Sequence, residues 1–435
     1  MIDIRIKKAL LSFQREPLTA PFGFKGKYLT ELWQTVVYIE TENGVSAACP
    51  GTISVLWSDA NVFGEHSPDE SSALMRDVTA RALDIIRGES FKYPNELINS
   101  LVPELKKYAD VICGRSVAET FVLNALVGLD YALWSVFAKE NSLAGFDDII
   151  PEFARSALSC RHERLAHIPL VSYAVDENGL KRLLDNGTAL LKIKIGKSCG
   201  DGLTEQEDMR SMLEWDKARL TEIHSVASRY TTELSKSGRI RYYLDANGRY
   251  DSLQRLEALL DHADKIGALD MIELIEEPFA PEKEIFVGDL PVTLNADESA
   301  HSLADVEKRL SLGYKAVALK PIAKTMSVSF DMAAAIHKAG GECLCADLTV
   351  VPLLAEWNKQ FAARIGALSG MNCGCIEING NQNYKNWESL GKLLPKGLEF
   401  KAEHNGAFEL GRDYYQTGGM LFENNGYCEY FKERF

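Results

Sequence analysis

The sequence predicts a closed barrel of eight parallel strands wrapped by helices, with a smaller α+β unit before it and a short tail after it. From Pro169 onward, apolar runs of about five to seven residues alternate with helical stretches, the rhythm of βα units that feed a parallel sheet. Eight such runs lie between Ile168 and Ile378. An open doubly wound sheet has about five or six strands, so closure into a barrel is the better match.

The elements follow in chain order. Asp3–Gln14 and Trp33–Ala48 read as strands, and Asn43-Gly44, between Val36–Glu40 and Val45, is the residue pair a tight hairpin turn needs. Leu18–Lys27, punctuated by Pro21, Gly23 and Gly26, reads as a loop. Between Ser71 and Phe137 apolar residues recur three and four apart, as in Phe121, Ala125, Leu129, Ala132, Leu133 and Phe137, which predicts amphipathic helices. Residues 1–150 are thus expected to form the α+β unit. The barrel strands are expected at Ile168–Ala174, Ala189–Ile195, Ile240–Ala246, Met271–Glu276, Val292–Ala296, Ala316–Lys320, Glu342–Ala346 and Cys373–Ile378, within a barrel spanning 165–398. Residues 399–435 carry Gly-Gly and Asn-Asn-Gly turns without βα rhythm and are expected to return to the first unit.

Composition sets the class. Apolar residues make up 46% and charged residues 25%, as in ordinary globular chains. The net charge of −14 argues against a surface built for nucleic acid or an anionic membrane. No uncharged apolar stretch reaches the roughly 18 residues of a membrane span, and the start, Met1-Ile2-Asp3-Ile4-Arg5, lacks the pattern of a signal peptide. Nine cysteines, odd in number and sparse, suit reduced thiols. The expected compartment is the cytosol, and a homo-oligomer is expected.

A barrel's active site lies at the C-terminal ends of its strands. Here those ends are polar: Lys192-Ile193-Lys194 on strand two, Asp245-Ala246-Asn247 on three, Glu276-Glu277-Pro278 on four, Asp297-Glu298-Ser299 on five and Leu319-Lys320 on six. Adjacent strands are about 4.8 Å apart, so Asp245, Glu276 and Asp297 converge on one point. Three ionised carboxylates there are tolerated when a hard divalent cation neutralises them, and oxygen ligands that leave room for water and substrate suit Mg²⁺. Lys192 and Lys194 share one face of their strand and point into the barrel mouth. A nearby cation and burial lower a lysine pKa, so one amine can act as a base. Lys194, nearer the open end, is expected to move the proton. Lys192 is expected to keep Lys194 partly deprotonated and to attract a substrate carboxylate.

These five motifs, with Lys194, Asp245, Glu276, Asp297 and Lys320 separated by 51, 31, 21 and 23 residues, resemble the enolase superfamily in its muconate-lactonizing-enzyme-like subgroup, the mandelate racemase/muconate lactonizing enzyme family. The hairpin with Pro21-Phe22, the Ala132-Leu133-Trp134 helix and the barrel fall where that family has its capping domain and (β/α)7β TIM-type barrel. The resemblance implies an α/β fold whose capping domain is made by the N-terminal region and the C-terminal tail. It implies Mg²⁺, with Mn²⁺ as a substitute, held by Asp245, Glu276 and Asp297 and ligating a substrate carboxylate. It further implies abstraction of the proton α to that carboxylate, through an enediolate whose charge the metal stabilises. Lys194 and Lys320 would sit on opposite faces of the reacting carbon. Glu298 would orient Lys320, and Asn247 would line the wall beside the metal. A racemase or epimerase of an amino-acid derivative is the leading expectation. A dehydratase, β-eliminating lyase or cycloisomerase using the same lysines is the neighbouring one.

Two departures bear on the substrate. Strand seven offers Cys345-Ala346-Asp347 and not the histidine of the mandelate-racemase-like subgroup. Strand eight has Glu377-Ile378-Asn379-Gly380-Asn381 in place of the Asp-x-Asp usual in dipeptide epimerases. Asp347 and Glu377 remain candidates to grip an amino group, and Phe22 and Phe24, with Tyr28, candidates for substrate contact. The blander readings are that the acids are solvated rim carboxylates, that Lys192 is a snorkelling lysine, and that Trp33, Trp57 and Trp134 are core. Cys343/Cys345 and Cys373/Cys375 read as small apolar packing on one face, not a zinc site. Other function classes are an aldolase-type barrel in which Lys194 or Lys320 forms a Schiff base, and a barrel that binds without catalysing.

Overall fold

The computed structural model describes residues 1–24, 27–200, 202–416 and 421–434. The chain opens with an antiparallel sheet of β1 (Ile4–Phe24), β2 (Lys27–Thr41), β3 (Ser46–Thr52) and β4 (Ser90–Phe91), ordered β3-β2-β1-β4. Gly44, at φ 80°, turns the chain between β2 and β3 as the Asn-Gly pair predicts. Within the expected loop at Leu18–Lys27, the described residues, 18–24 and 27, belong instead to the end of the long β1–β2 hairpin. The register slips between Pro17 and Phe22, where proline has no N–H to give the ladder. Beyond the slip the hairpin is fastened to the barrel, with Lys385 N–H on Pro17 O at 3.0 Å and Thr19 Oγ1 on Gln382 O at 3.1 Å.

Three helices, Pro68–Ile86, Pro94–Ile112 and Glu119–Glu140, pack on this sheet. The first has a complete capping box between Ser67 and Glu70. Glu119–Glu140 is long and apolar enough to cross a membrane, yet its 18-residue apolar window is wholly buried within the protein. It crosses β3 so closely that a Cβ on Gly51 would stand 2.7 Å from Gly128 N. On its other side Asp130 accepts from Met326 N–H (2.7 Å) and from the backbone and hydroxyl of Ser327, and Trp134 Nε1 donates to Ser327 Oγ at 3.1 Å. This helix therefore ties the first unit to the barrel helix Met326–Lys338.

The barrel has eight staves. The first is β5 (Arg164–His167) continued by β6 (Leu170–Val171); the others are β7 (Leu190–Lys194), β8 (Arg241–Asp245), β9 (Ile272–Glu276), β10 (Leu294–Ala296), β11 (Ala316–Leu319), β12 (Glu342–Cys345) and β13 (Gly374–Ile376). All neighbours are parallel, and β13 pairs back onto β5, which closes the ring. The first stave starts at Arg164 and ends at Val171, not at the expected 168–174, and Pro169 splits it. The tail first adds β14 (Ala407–Glu409) antiparallel to β5 and then returns to the first unit, where Asn425 Nδ2 donates to Ala48 O at 2.9 Å and, on the last helix, Gly426–Arg434, Phe431 stacks on Tyr38 at 5.4 Å.

The tail is locked by two glycines. A Cβ on Gly406 (φ 73°) would stand 2.1 Å from the carbonyl oxygen of Gly187, itself at φ 89°. Gly406→Ala is therefore expected to destabilise the protein by more than about 1–2 kcal/mol, since the left-handed backbone alone costs about that and the clash adds to it. Thermal unfolding, read with and without the substitution, checks this.

The lower barrel is filled by Leu190, Tyr243, Leu274, Leu344, Met371, Cys373 and Cys375, whereas Cys343 and Cys345 pack outward with the helices. The two Cys-x-Cys pairs thus lie on opposite faces of the wall and not on one face. All nine cysteines are free thiols.

Candidate active site

The barrel register sets the site. Lys194 pairs with Asp245 and Asp245 with Glu276, so these three residues form one rung across β7, β8 and β9. Glu276 pairs with Asn295 on β10, which places Asp297 two residues further toward the mouth. Lys320 follows β11 directly. Around the ring the order is amine, carboxylate, carboxylate, carboxylate, amine. Asp245, Glu276, Asp297, Lys192 and Lys320 are each at most 5% exposed, while Lys194 is half-buried.

The amines and acids bind one another. Lys192 Nζ lies 3.0 Å from Glu276 Oε1 and 3.3 Å from both Asp245 Oδ2 and Glu377 Oε2. It stands 5.0 Å from the Tyr243 ring below it, on the same face as Lys194. Lys194 Nζ reaches Asp245 Oδ2 at 2.6 Å and Asn247 Oδ1 at 2.5 Å. Lys320 Nζ bonds Asp297 Oδ2. Among the described residues, no three His, Cys, Asp or Glu side chains stand ready to hold a metal, and each of the three acids is bonded to a lysine. The donor set nevertheless fits a hard cation. It consists of three buried carboxylates at neighbouring strand ends, with Asp297 Oδ1 and Glu298 Oε2 buried and without a hydrogen bond among the described residues.

Charge is finely divided. Burial opposes ionisation of Asp245 and Asp297, but Lys194 and Lys192 around the first and Lys320 and Lys324 around the second outweigh it, so both pKa values lie below the ordinary carboxylate range. Burial pushes Glu276 up despite Lys192, Glu277 up to about 7, and Glu298 up to about 8 with help from Asp297 and Asp245. Burial lowers Lys192 and Lys320, but the surrounding carboxylates overcome it and both pKa values are raised. In this arrangement these two lysines hold their protons.

Other expected residues take different roles. Glu298 does not bond Lys320; its Oε1 accepts from Asn247 Nδ2 at 2.9 Å, so Asn247 links Lys194 to Glu298. Glu377 holds Lys192 and receives Asp347 N–H at 3.4 Å. Asp347 Oδ2 accepts from Asn379 N–H at 2.7 Å, Oδ1 is buried without a hydrogen bond among the described residues, and burial with Glu377 nearby pushes its pKa up to about 6. Phe22 is 59% exposed at the hairpin end, so the structure does not bring it into the cluster. The side chain of Phe24 lies outside the described residues.

Four contributors escaped the sequence reading. Glu277, at φ 39°, accepts from Asp297 N–H (2.9 Å), Ser299 N–H (3.1 Å) and Ser299 Oγ (3.0 Å), and so fixes the loop that carries Asp297. Asn295 donates to Glu276 Oε2 at 2.9 Å; the period of two along β10 already places it on the face of Asp297. Lys324, one helical turn after Lys320, is fully buried and donates to Ala300 O at 2.8 Å. Trp57, expected in the core, instead reaches the site from the first unit, its ring 4.6 Å from Lys320 Nζ.

Behind Lys194, Gly196 N–H donates to both carboxylate oxygens of fully buried Asp216 at 2.9 and 3.0 Å, and Tyr250 OH donates at 2.8 Å. Burial outweighs these bonds and pushes Asp216 up to about 6. A carboxyl group with a raised folded-state pKa adds stability below its unfolded pKa and loses it as pH climbs through the folded value. Thermal stability is therefore expected to fall between about pH 4 and 6, and to fall less in Asp216→Asn; melting curves across that window check the difference.

No protein-family model matches the chain, and no curated protein matches it by sequence. The likeness is structural. The fold is similar to that of capped TIM-type barrels of the enolase superfamily. A mandelate racemase/muconate lactonizing enzyme from Roseiflexus sp. has a TM-score of 0.67 at 16% identity, over 95% of this chain and 96% of that one. A dipeptide epimerase from Enterococcus faecalis V583, complexed with Mg and the dipeptide L-Leu-L-Tyr, gives 0.64 at 16% identity over 97% and 99%. The L-Ala-D/L-Glu epimerase from Bacillus subtilis, in a substrate-liganded complex, gives 0.60 at 18% identity over 87% and 91%.

Proposed function

We propose that this chain is an enolase-superfamily enzyme that removes the proton α to the carboxylate of a small acid and returns it, acting as a racemase or epimerase of an amino-acid derivative. The observation that carries the reading is the order around the barrel mouth: Lys194, Asp245, Glu276, Asp297, Lys320 on five consecutive staves. Asp245, Glu276 and Asp297 would hold Mg²⁺, which would offset part of the acids' charge, loosen the lysines' hold on their protons and stabilise charge developing on a substrate carboxylate. Lys194 and Lys320 flank the acids and take and return the proton from opposite sides. Lys192, buried among Glu276, Asp245 and Glu377, supplies fixed positive charge where a substrate carboxylate enters.

Asp347, beside Glu377, suggests an amino or amide N–H on the substrate, because Asp347 Oδ1 is a buried acceptor without a donor among the described residues. The test is to incubate N-acylated amino acids, dipeptides and sugar acids with the enzyme and Mg²⁺ in deuterated water. Exchange of the α-hydrogen that a chelator stops is the expected result. Trapping of substrate by borohydride, with chelator without effect, would replace this reading by the Schiff-base one.

A further inference from the structure

We infer that Trp57 is the positioning residue for Lys320, so that one of the two amine flanks is completed by the capping unit while the other is built from the barrel alone. This rests on the two-lysine reading above. The indole ring lies 4.6 Å from Lys320 Nζ and 5.8 Å from Lys324 Nζ, and the ring face is the electron-rich surface an ammonium seeks. Among the described residues, the carboxylate bonded to Lys320 is that of Asp297. Asp297 fixes a single N–H direction, and the ring limits how the rest of the ammonium swings about it. Lys194 differs, because both its bonded partners, Asp245 and Asn247, are barrel residues.

Trp57 is itself held firmly. It sits on the short helix Val55–Ser58, which leaves β3 and is fastened on both sides. Ser54 N–H donates to Asn124 Oδ1 at 2.9 Å, and Thr120 Oγ1 donates to Ser58 O at 2.6 Å. Asp59, the next residue, accepts from Asn61 and Val62 N–H at 3.0 Å and from Ala118 N–H at 2.7 Å. Asn124, Thr120 and Ala118 belong to, or immediately precede, the central helix Glu119–Glu140. From the barrel side His301 meets the indole edge-on, with centroids 6.4 Å apart at 87°. The ring is thus set by the capping unit's framework and braced by the barrel loop that follows Asp297.

Two readouts test this. The first uses the separate enantiomers of an N-acetyl amino acid in deuterated water with Mg²⁺. Trp57→Leu is expected to slow α-hydrogen exchange on the Lys320 face about tenfold more than on the Lys194 face. Trp57→Phe, which keeps a smaller ring over the amine, is expected to shift the same ratio by less. Exchange on the Lys194 face serves as the internal gauge of folding. The second needs no turnover: the ε-protons of Lys320, assigned by their loss in Lys320→Ala, carry a ring-current shift in the wild type that Trp57→Leu removes. Equal slowing of both faces in Trp57→Phe, or an unshifted Lys320 resonance in the wild type, overturns the inference. If wild-type enzyme exchanges neither enantiomer, the reaction reading fails for that acid class, and the resonance alone decides the role of Trp57.

Discussion

Supplied with one enantiomer at a time in deuterated water, Lys320→Ala and Lys194→Ala are each expected to lose racemisation while still exchanging the α-hydrogen of one enantiomer, a different one in each variant. Racemisation needs removal on one face and delivery on the other, so loss of either amine stops it. Exchange needs only one amine, which takes the proton and returns a deuteron to the same face. A positioned acid or base contributes about 10²–10⁴-fold, so turnover should fall by at least that range. Lys320→Ala also leaves Asp297 with Lys324, at 3.6 Å, as its nearest compensating amine among the described residues and with Lys192 further off, and breaking a buried pair costs about 3–5 kcal/mol. Lys320→Arg separates the two effects. It keeps a cation beside Asp297 and restores stability, yet it stays inactive because guanidinium does not give up its proton. Full racemase activity in Lys320→Ala would remove the two-amine account.

The second large effect belongs to the acids. Asp245→Asn is expected to abolish both Mg²⁺ binding, measured by titration calorimetry, and turnover, whereas the two lysine variants keep metal affinity nearly intact. Asp245 is the shared partner of Lys192 and Lys194, at 3.3 and 2.6 Å. Its neutral amide therefore leaves two amines facing one another with a charge removed between them. Lower stability accompanies the loss, and a melting curve measures it.

The parts of this site that the sequence discloses are those governed by short-range rules. A polar residue that closes an apolar run in a βα rhythm falls at the barrel mouth, so Lys194, Asp245, Glu276, Asp297 and Lys320 are legible from spacing alone, and Lys192 follows from the period of two. The failures have equally definite causes. Trp57 reaches Lys320 across the junction of two units, which no local pattern encodes. Glu277 points into the loop after β10 only because its own backbone takes φ 39°. The hairpin beyond Gln14 persists through Pro17 because the barrel segment 382–385 holds it, and the tail joins β5 through a glycine pair, Gly187 and Gly406, that looks like ordinary turn residues in the sequence. The charge state of Lys192 and Lys320 is not local either: burial lowers both, and the carboxylates of neighbouring strands raise them.

The central claim is that three adjacent strand-end carboxylates hold one divalent cation between two opposed amines. Crystals grown with Mn²⁺ and measured at its absorption edge test it most directly. The account predicts a single anomalous peak bound by Asp245, Glu276 and Asp297, with the amines of Lys194 and Lys320 on either side of it. No peak there, a peak bound by other residues, or both amines on the same side would contradict it.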